Sequence, residues 1–188
     1  MNGTDKSIVL IGMMGAGKSS VAYCLRQRTG LAGVDIDEIV MSKFGISIPE
    51  IFFAYGEDKF REAETEALRG LTPGQQAIIV TGGGIVLRDQ NVTLLRRLGA
   101  VVWLEADEKT LFNRASRTGN RPLLQTRNPR KAFARMLQQR IPLYARIADL
   151  RVDTSALTEE EAALAILTRL RKLSRNRRPG LSIPATVK

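Results

Sequence analysis

Ser7–Ser20 reads SIVLIGMMGAGKSS, and the fold turns on this stretch. A short apolar run, Ile8–Ile11, leads into Gly12-Met13-Met14-Gly15-Ala16-Gly17-Lys18-Ser19, which fills G-x-x-x-x-G-K-[ST] at every fixed position. A helix-compatible segment, Ser20–Arg28, follows. Strand, glycine-rich turn and helix in that order are the context of a phosphate-binding loop, and they point to a nucleoside triphosphate with Mg²⁺ as ligand. The glycines let the backbone turn tightly and keep side chains away from the amides. Those amides and the positive end of the next helix form an anion nest from Gly15, Ala16, Gly17, Lys18, Ser19 and Ser20. Lys18 adds a mobile positive charge near the β and γ phosphates. Ser19 offers its hydroxyl to Mg²⁺, which keeps most of its ligands as water and phosphate oxygen.

Working outward, Val- and Ile-rich strands alternate with helical patterns. Strands are expected at Ile8–Ile11, Gly33–Ile36, Ala77–Thr81, Ala100–Leu104 and Leu150–Val152. Helices are expected at Lys18–Arg28, Asp37–Lys43, Ile48–Gly70 with a break at Gly56, Asn91–Leu98, Glu108–Arg117, Pro129–Arg146 and Thr158–Leu173. This alternation predicts an α/β fold, a parallel sheet covered on both faces. Ser47–Glu50 and Thr158–Glu161 carry helix-start signals. Thr118–Asn128, TGNRPLLQTRN, has no regular periodicity, and loops of that length inside one domain are commonly functional. Its composition suits a lid over a charged ligand.

Composition sets the outer bounds. The chain has 188 residues, enough for one α/β domain and short for two. No apolar run approaches a membrane span, and no signal peptide is visible, so neither a membrane nor export is expected. A single cysteine, Cys24, excludes an intramolecular disulfide and fits a reducing cytoplasm. The absence of histidine excludes Ser-His-Asp chemistry and histidine metal sites. Net charge is +10, but seven of the 29 basic residues lie between Arg169 and Lys188 with no acid among them. The organisation read here is a domain over 1–174 and a basic tail over 175–188, solvated rather than bound to nucleic acid.

A phosphate loop alone does not separate a kinase from a motor or a GTPase. Five further features do: Asp35 and Asp37 after the second strand, Arg61 in FREAE, Gly82-Gly83-Gly84 after AIIVT, Arg121 in RPLL, and Arg140 before Pro142-Leu143-Tyr144. Period-2 strand geometry is expected to put the two acids on one side. The glycines follow a strand end, where open α/β sheets bind ligands. Arg61 and Arg140 each have a structural alternative, for Arg61 an i,i+3 pair with Glu64 on a helix surface and for Arg140 a place among the exposed arginines of its helix.

Taken as an ordered set from Ile8 to Leu173, GMMGAGKS, VDID, FREAE, TGGG, RPLL and RIPLY resemble the shikimate kinases. The resemblance implies a P-loop kinase fold, a five-stranded parallel sheet flanked by helices with a mobile lid at about 118–128. It implies ATP-dependent phosphorylation of the 3-hydroxyl of shikimate, giving shikimate 3-phosphate for aromatic amino acid synthesis. It gives Asp35 to the magnesium sphere with Ser19, and Asp37 to the substrate hydroxyls as orienting group and late proton acceptor. Arg61 and Arg140 would hold the carboxylate, since a guanidinium pairs with it bidentately. Gly82, Gly83 and Gly84 would touch acceptor and γ-phosphate. Arg121 would reach the transferring phosphate, and Arg117 would pack on the adenine side. Asp153–Leu157 lacks an arginine–proline arrangement seen near adenine in some members. A monomer is expected. The rivals are a gluconate kinase, which would lack the Arg61 and Arg140 pair, and a nucleic-acid-binding NTPase, which should show stacking aromatics on a basic face.

Overall fold

The apolar run forms β1, Ser7–Ile11, buried at every position. Four neighbours complete the sheet: β2 (Ala32–Asp35), β3 (Ala77–Val80), β4 (Gly99–Glu105) and β5 (Leu150–Asp153). The computed structural model describes residues 6–117 and 121–176. All four ladders are parallel, in the order β2-β3-β1-β4-β5. β1 sits in the middle and is covered from both sides, so Ile8–Ile11 are apolar in a continuous run rather than alternating. Burying each such Ile, Val or Leu contributes about 1.5–3 kcal/mol.

Parallel strands need crossovers, and helices supply them. These are α1 (Lys18–Thr29), α2 (Ile36–Phe44), α3 (Ile48–Arg69), α4 (Asp89–Leu98), α5 (Glu108–Arg117), α6 (Pro129–Ile147) and α7 (Glu159–Asn176). Helices α1 and α7 pack together on one side of the sheet, and α4 and α6 contact its central strands. Among the described residues, no single helix is long and apolar enough to cross a membrane.

The expected elements are present, with shifted ends. The second strand stops at Asp35, because Ile36 already opens α2. Gly56, at φ 79 and ψ 169, interrupts α3 where a break was expected. Glu50 accepts hydrogen bonds from the backbone N–H and hydroxyl of Ser47, and Glu161 does the same for Thr158. Helix α7 runs on to Asn176, past the expected end of the domain at 174. Of the expected lid, Thr118–Asn120 lie outside the described residues, as does 177–188 of the expected tail. Within Arg121–Asn128, Pro122–Leu124 form a single 3-10 turn.

Candidate active site

The phosphate loop leaves the carboxyl end of β1, where side chains from β2, β3 and α5 converge on an open cleft of about 440 Å³. Two glycines fix its shape. Gly15 lies at φ 85, and a β-carbon there would come 2.2 Å from the Leu111 carbonyl oxygen. Gly17, at φ 82, ends the loop as the N-cap of α1. Both conformations favour glycine. Lys18 donates from Nζ to the carbonyls of Gly12 at 2.9 Å and Met13 at 3.1 Å. Burial pushes the Lys18 ammonium down to about 8; Asp37 and Asp35 pull it back up, while Arg121 and Arg140 push it further down. Ser19 and Ser20 are exposed on the first turn of α1 and line the cleft.

Asp35 and Asp37 share the cleft, but not through strand alternation. Asp35 ends β2 and caps α2, its Oδ1 accepting the Asp37 N–H at 2.9 Å. Asp37 stands in the first turn of that helix. Capping therefore replaces period-2 geometry as the cause of their juxtaposition. Burial raises both carboxyl groups; Asp37 adds to the rise at Asp35, whereas Lys18, Arg121 and Arg61 oppose it at Asp37. The buried Asp37 Oδ1 has no hydrogen-bond partner among the described residues.

Gly82, Gly83 and Gly84 bring the remaining groups together by closeness of approach. A β-carbon at Gly82 would lie 2.6 Å from Glu64 Oε1 and 2.9 Å from Asp37 Oδ1. One at Gly83 would meet Met14 N at 3.3 Å and Arg140 Nη1 at 3.6 Å. One at Gly84 would overlap the Arg61 guanidinium, at 2.3 Å from Nη2. No side chain larger than hydrogen fits beside Gly82 and Gly84 without moving those groups.

Arg61 and Arg140 are both buried, Arg61 against Gly84 and Arg140 beside Gly83. Arg61 does pair with Glu64, at 2.7 Å, yet within the protein rather than on a helix surface, and it also bonds Glu57. Arg140 differs. Its hydrogen-bond partners are two thioethers, Met13 Sδ at 3.9 Å and Met136 Sδ at 3.8 Å. Tyr144 and Glu64 also feel its charge, but it forms no ion pair among the described residues, and a buried guanidinium in that position is an electropositive point prepared for an anion.

Arg121 and Arg117 line the cleft with Arg114, which sequence reading missed. Arg114 bonds the Thr154 carbonyl at 3.1 Å, joining α5 to the segment after β5. Its place one turn before Arg117 was the available signal. Arg127 and Arg130 are exposed, Arg130 on the first turn of α6. The contacts of Met13 and Met136 with Arg140 were also missed, because they depend on the fold.

The strand order, the phosphate loop and a cleft bearing both acids and arginines define a P-loop kinase of small molecules. A family model described as shikimate kinase matches residues 14–171. A shikimate kinase of Thermodesulfovibrio yellowstonii is 44% identical over 90% of this chain and 97% of its own length. Another, of Thioalkalivibrio sulfidiphilus, is 45% identical over 79% of this chain and 78% of its own. A shikimate kinase of Acinetobacter baumannii, solved in complex with shikimate, is 35% identical with a TM-score of 0.86, covering 92% of this chain and 96% of that one. The chain belongs to the shikimate kinase family, and is an ATP-dependent small-molecule kinase.

Proposed function

We propose that this chain transfers the γ-phosphoryl group of ATP to the 3-hydroxyl of shikimate. The observation that carries the acceptor's identity is Arg140, buried beside Gly83 with no ion pair among the described residues. A compact polyol with one carboxylate supplies the missing anion. Arg61, across Gly84, is the second arm of the clamp. The pair also separates shikimate from gluconate kinases, which read a different acceptor.

Transfer of a phosphoryl group needs positioning and charge neutralisation more than covalent chemistry. Lys18, the amides of Gly15–Ser20 and Arg121 neutralise the nucleotide phosphates. Asp37 orients the 3-hydroxyl and accepts its proton late, its Oδ1 being open to a donor. Arg117, with Arg114, faces the base. Arg121 approaches the phosphate when Thr118–Asn128 closes and excludes water.

The donor set suits magnesium that arrives with nucleotide. Among the described residues no group of three His, Cys, Asp or Glu could cage a metal. Ser19 and Asp35 offer one hydroxyl and one carboxylate beside the phosphate loop. That is enough for a hard cation whose other ligands are phosphate and water. When bound, Mg²⁺ neutralises phosphate charge. Every group named comes from one chain, which suits a monomer, and ATP supply with one unpaired cysteine suits the cytoplasm.

A coupled ADP-release assay with shikimate, quinate and gluconate side by side tests the proposal. ADP should appear with shikimate at least about a hundredfold faster than with gluconate, because an unpaired buried arginine penalises an acceptor that leaves it unpaired. Equal rates would contradict it.

A further inference from the structure

The RIPLY run contains a residue to which the mechanism above gives no task. Tyr144 is fully buried one helical turn beyond Arg140, its ring 5.8 Å from that of Trp103 on β4. Its hydroxyl donates to the Gly83 carbonyl at 2.5 Å and lies 4.0 Å from Met13 Sδ of the phosphate loop. Burial pushes the phenol up to about 12, against the opposing pull of the neighbouring Arg140 guanidinium, so it is a permanent donor near neutral pH.

The rest of the glycine turn gives that bond a consequence. Each of its three carbonyls is engaged: Gly82 by the Ile85 N–H at 3.2 Å, Gly84 by the Leu87 N–H at 3.0 Å, and Gly83 by Tyr144. None of the three N–H groups has a protein acceptor among the described residues. The Gly83 carbonyl and the Gly84 N–H belong to one planar trans peptide and point in opposite directions. With the carbonyl pinned toward α6, the Gly84 N–H points to the far side. A peptide between two glycines has little else to stop it rotating.

We propose that Tyr144 is a positioning residue that sets the Gly83–Gly84 peptide plane, so that the Gly84 N–H joins Arg61 and Arg140 in receiving the acceptor's carboxylate. This rests on the acceptor assignment above. It adds a neutral donor to the charged clamp, with its direction dictated from α6.

The test is Tyr144→Phe, which keeps the ring and its contact with Trp103. The KM for shikimate should rise about tenfold, the scale of one lost hydrogen bond to a buried acceptor. Nucleotide Kd should stay within about twofold, because no phosphate contact is touched. A shikimate KM within twofold of the parent overturns the proposal. So does an equal loss for both substrates, which would mark Tyr144 as a merely structural residue. Failure of the acceptor assignment looks different: the parent itself releases no ADP with shikimate.

A second readout needs no substrate. In nitrogen-15 spectra of the ligand-free proteins, the Gly84 amide resonance should move between parent and variant, and an unmoved resonance overturns the proposal. Should the phenylalanine variant not fold, difluorotyrosine can replace tyrosine in a Tyr23→Phe, Tyr55→Phe background, since the chain has three tyrosines and those two are exposed. It alters donor strength at nearly constant shape. The Gly83 carbonyl and Gly84 amide shifts should follow, and unmoved shifts would again overturn the proposal.

Discussion

Arg61 and Glu64 stand one turn apart on α3, joined at 2.7 Å with both side chains buried. The two arms of the acceptor clamp are therefore unlike. Arg61 is ion-paired with carboxylates of its own helix, whereas Arg140 reaches methionine sulfur and forms no ion pair among the described residues. The balance is mutual: burial drives the Glu64 carboxyl upward, and Arg61 draws it back.

The asymmetry separates stability from binding. Arg61→Ala leaves Glu64 buried and unpaired, and should cost about 3–5 kcal/mol of folding stability. Arg140→Met removes a buried charge that forms no ion pair among the described residues and only helps Arg61 hold down Glu64, and should cost much less stability than Arg61→Ala. Both variants should lose shikimate affinity. Denaturant midpoints measured beside acceptor KM check this, and equal destabilisation by the two changes would contradict it.

Charge conservation without the planar fork is a milder version. Arg140→Lys should raise the shikimate KM by about tenfold while nucleotide affinity holds, because lysine keeps the charge but loses bidentate pairing. Loss confined to ATP binding would move Arg140 to the phosphates.

Asp37→Asn should preserve the fold and nucleotide binding while reducing turnover by about 10²–10⁴-fold, the range for a lost acid–base group. Single-turnover rates with bound nucleotide measure it. Turnover within about tenfold of the parent, ~1.4 kcal/mol in the barrier, would remove Asp37 from its role.

Arg121→Ala should lower kcat more than it raises either KM, since a lid arginine gains its strong partner at the transferring phosphate. Hydrogen exchange across Thr118–Asn128 should slow when nucleotide and shikimate are both present. Unchanged protection, with only a raised KM in the variant, would reduce the segment to an ordinary connection.

Removing residues 177–188 should leave turnover and the melting temperature essentially unchanged. The cut follows Asn176 because α7 extends that far, anchored by Ala162, Ala163, Ile166 and Leu170 in the core. A large loss of either quantity would mean that this segment acts on the domain.

Much of this arrangement was legible in the sequence because the phosphate loop and the apolar strands announce themselves locally. G-x-x-x-x-G-K-S needs no tertiary contact to be read, and AIIV and AVVW can only be covered strands. Other features depended on contacts that the sequence does not state. The Asp35–Asp37 pair was placed correctly for a wrong geometric reason, since a capping carboxylate and a strand residue look alike in VDID. Arg61 and Glu64 were legible as an i,i+3 pair, but burial, which gives the pair its energetic weight, comes from α3 lying against Gly84. Tyr144 entered only as the end of the RIPLY run, which does not say where its hydroxyl goes. Only the fold brings its hydroxyl to a carbonyl 61 residues away.

The central claim is the site of phosphorylation, and the most direct measurement is phosphorus–proton correlation NMR of the product formed from ATP, Mg²⁺ and shikimate. The account predicts one phosphate monoester whose phosphorus couples to the proton at carbon 3 of shikimate, accumulating in step with ADP. A phosphorus signal coupled to another carbinol proton, or ADP matched only by inorganic phosphate, would contradict it.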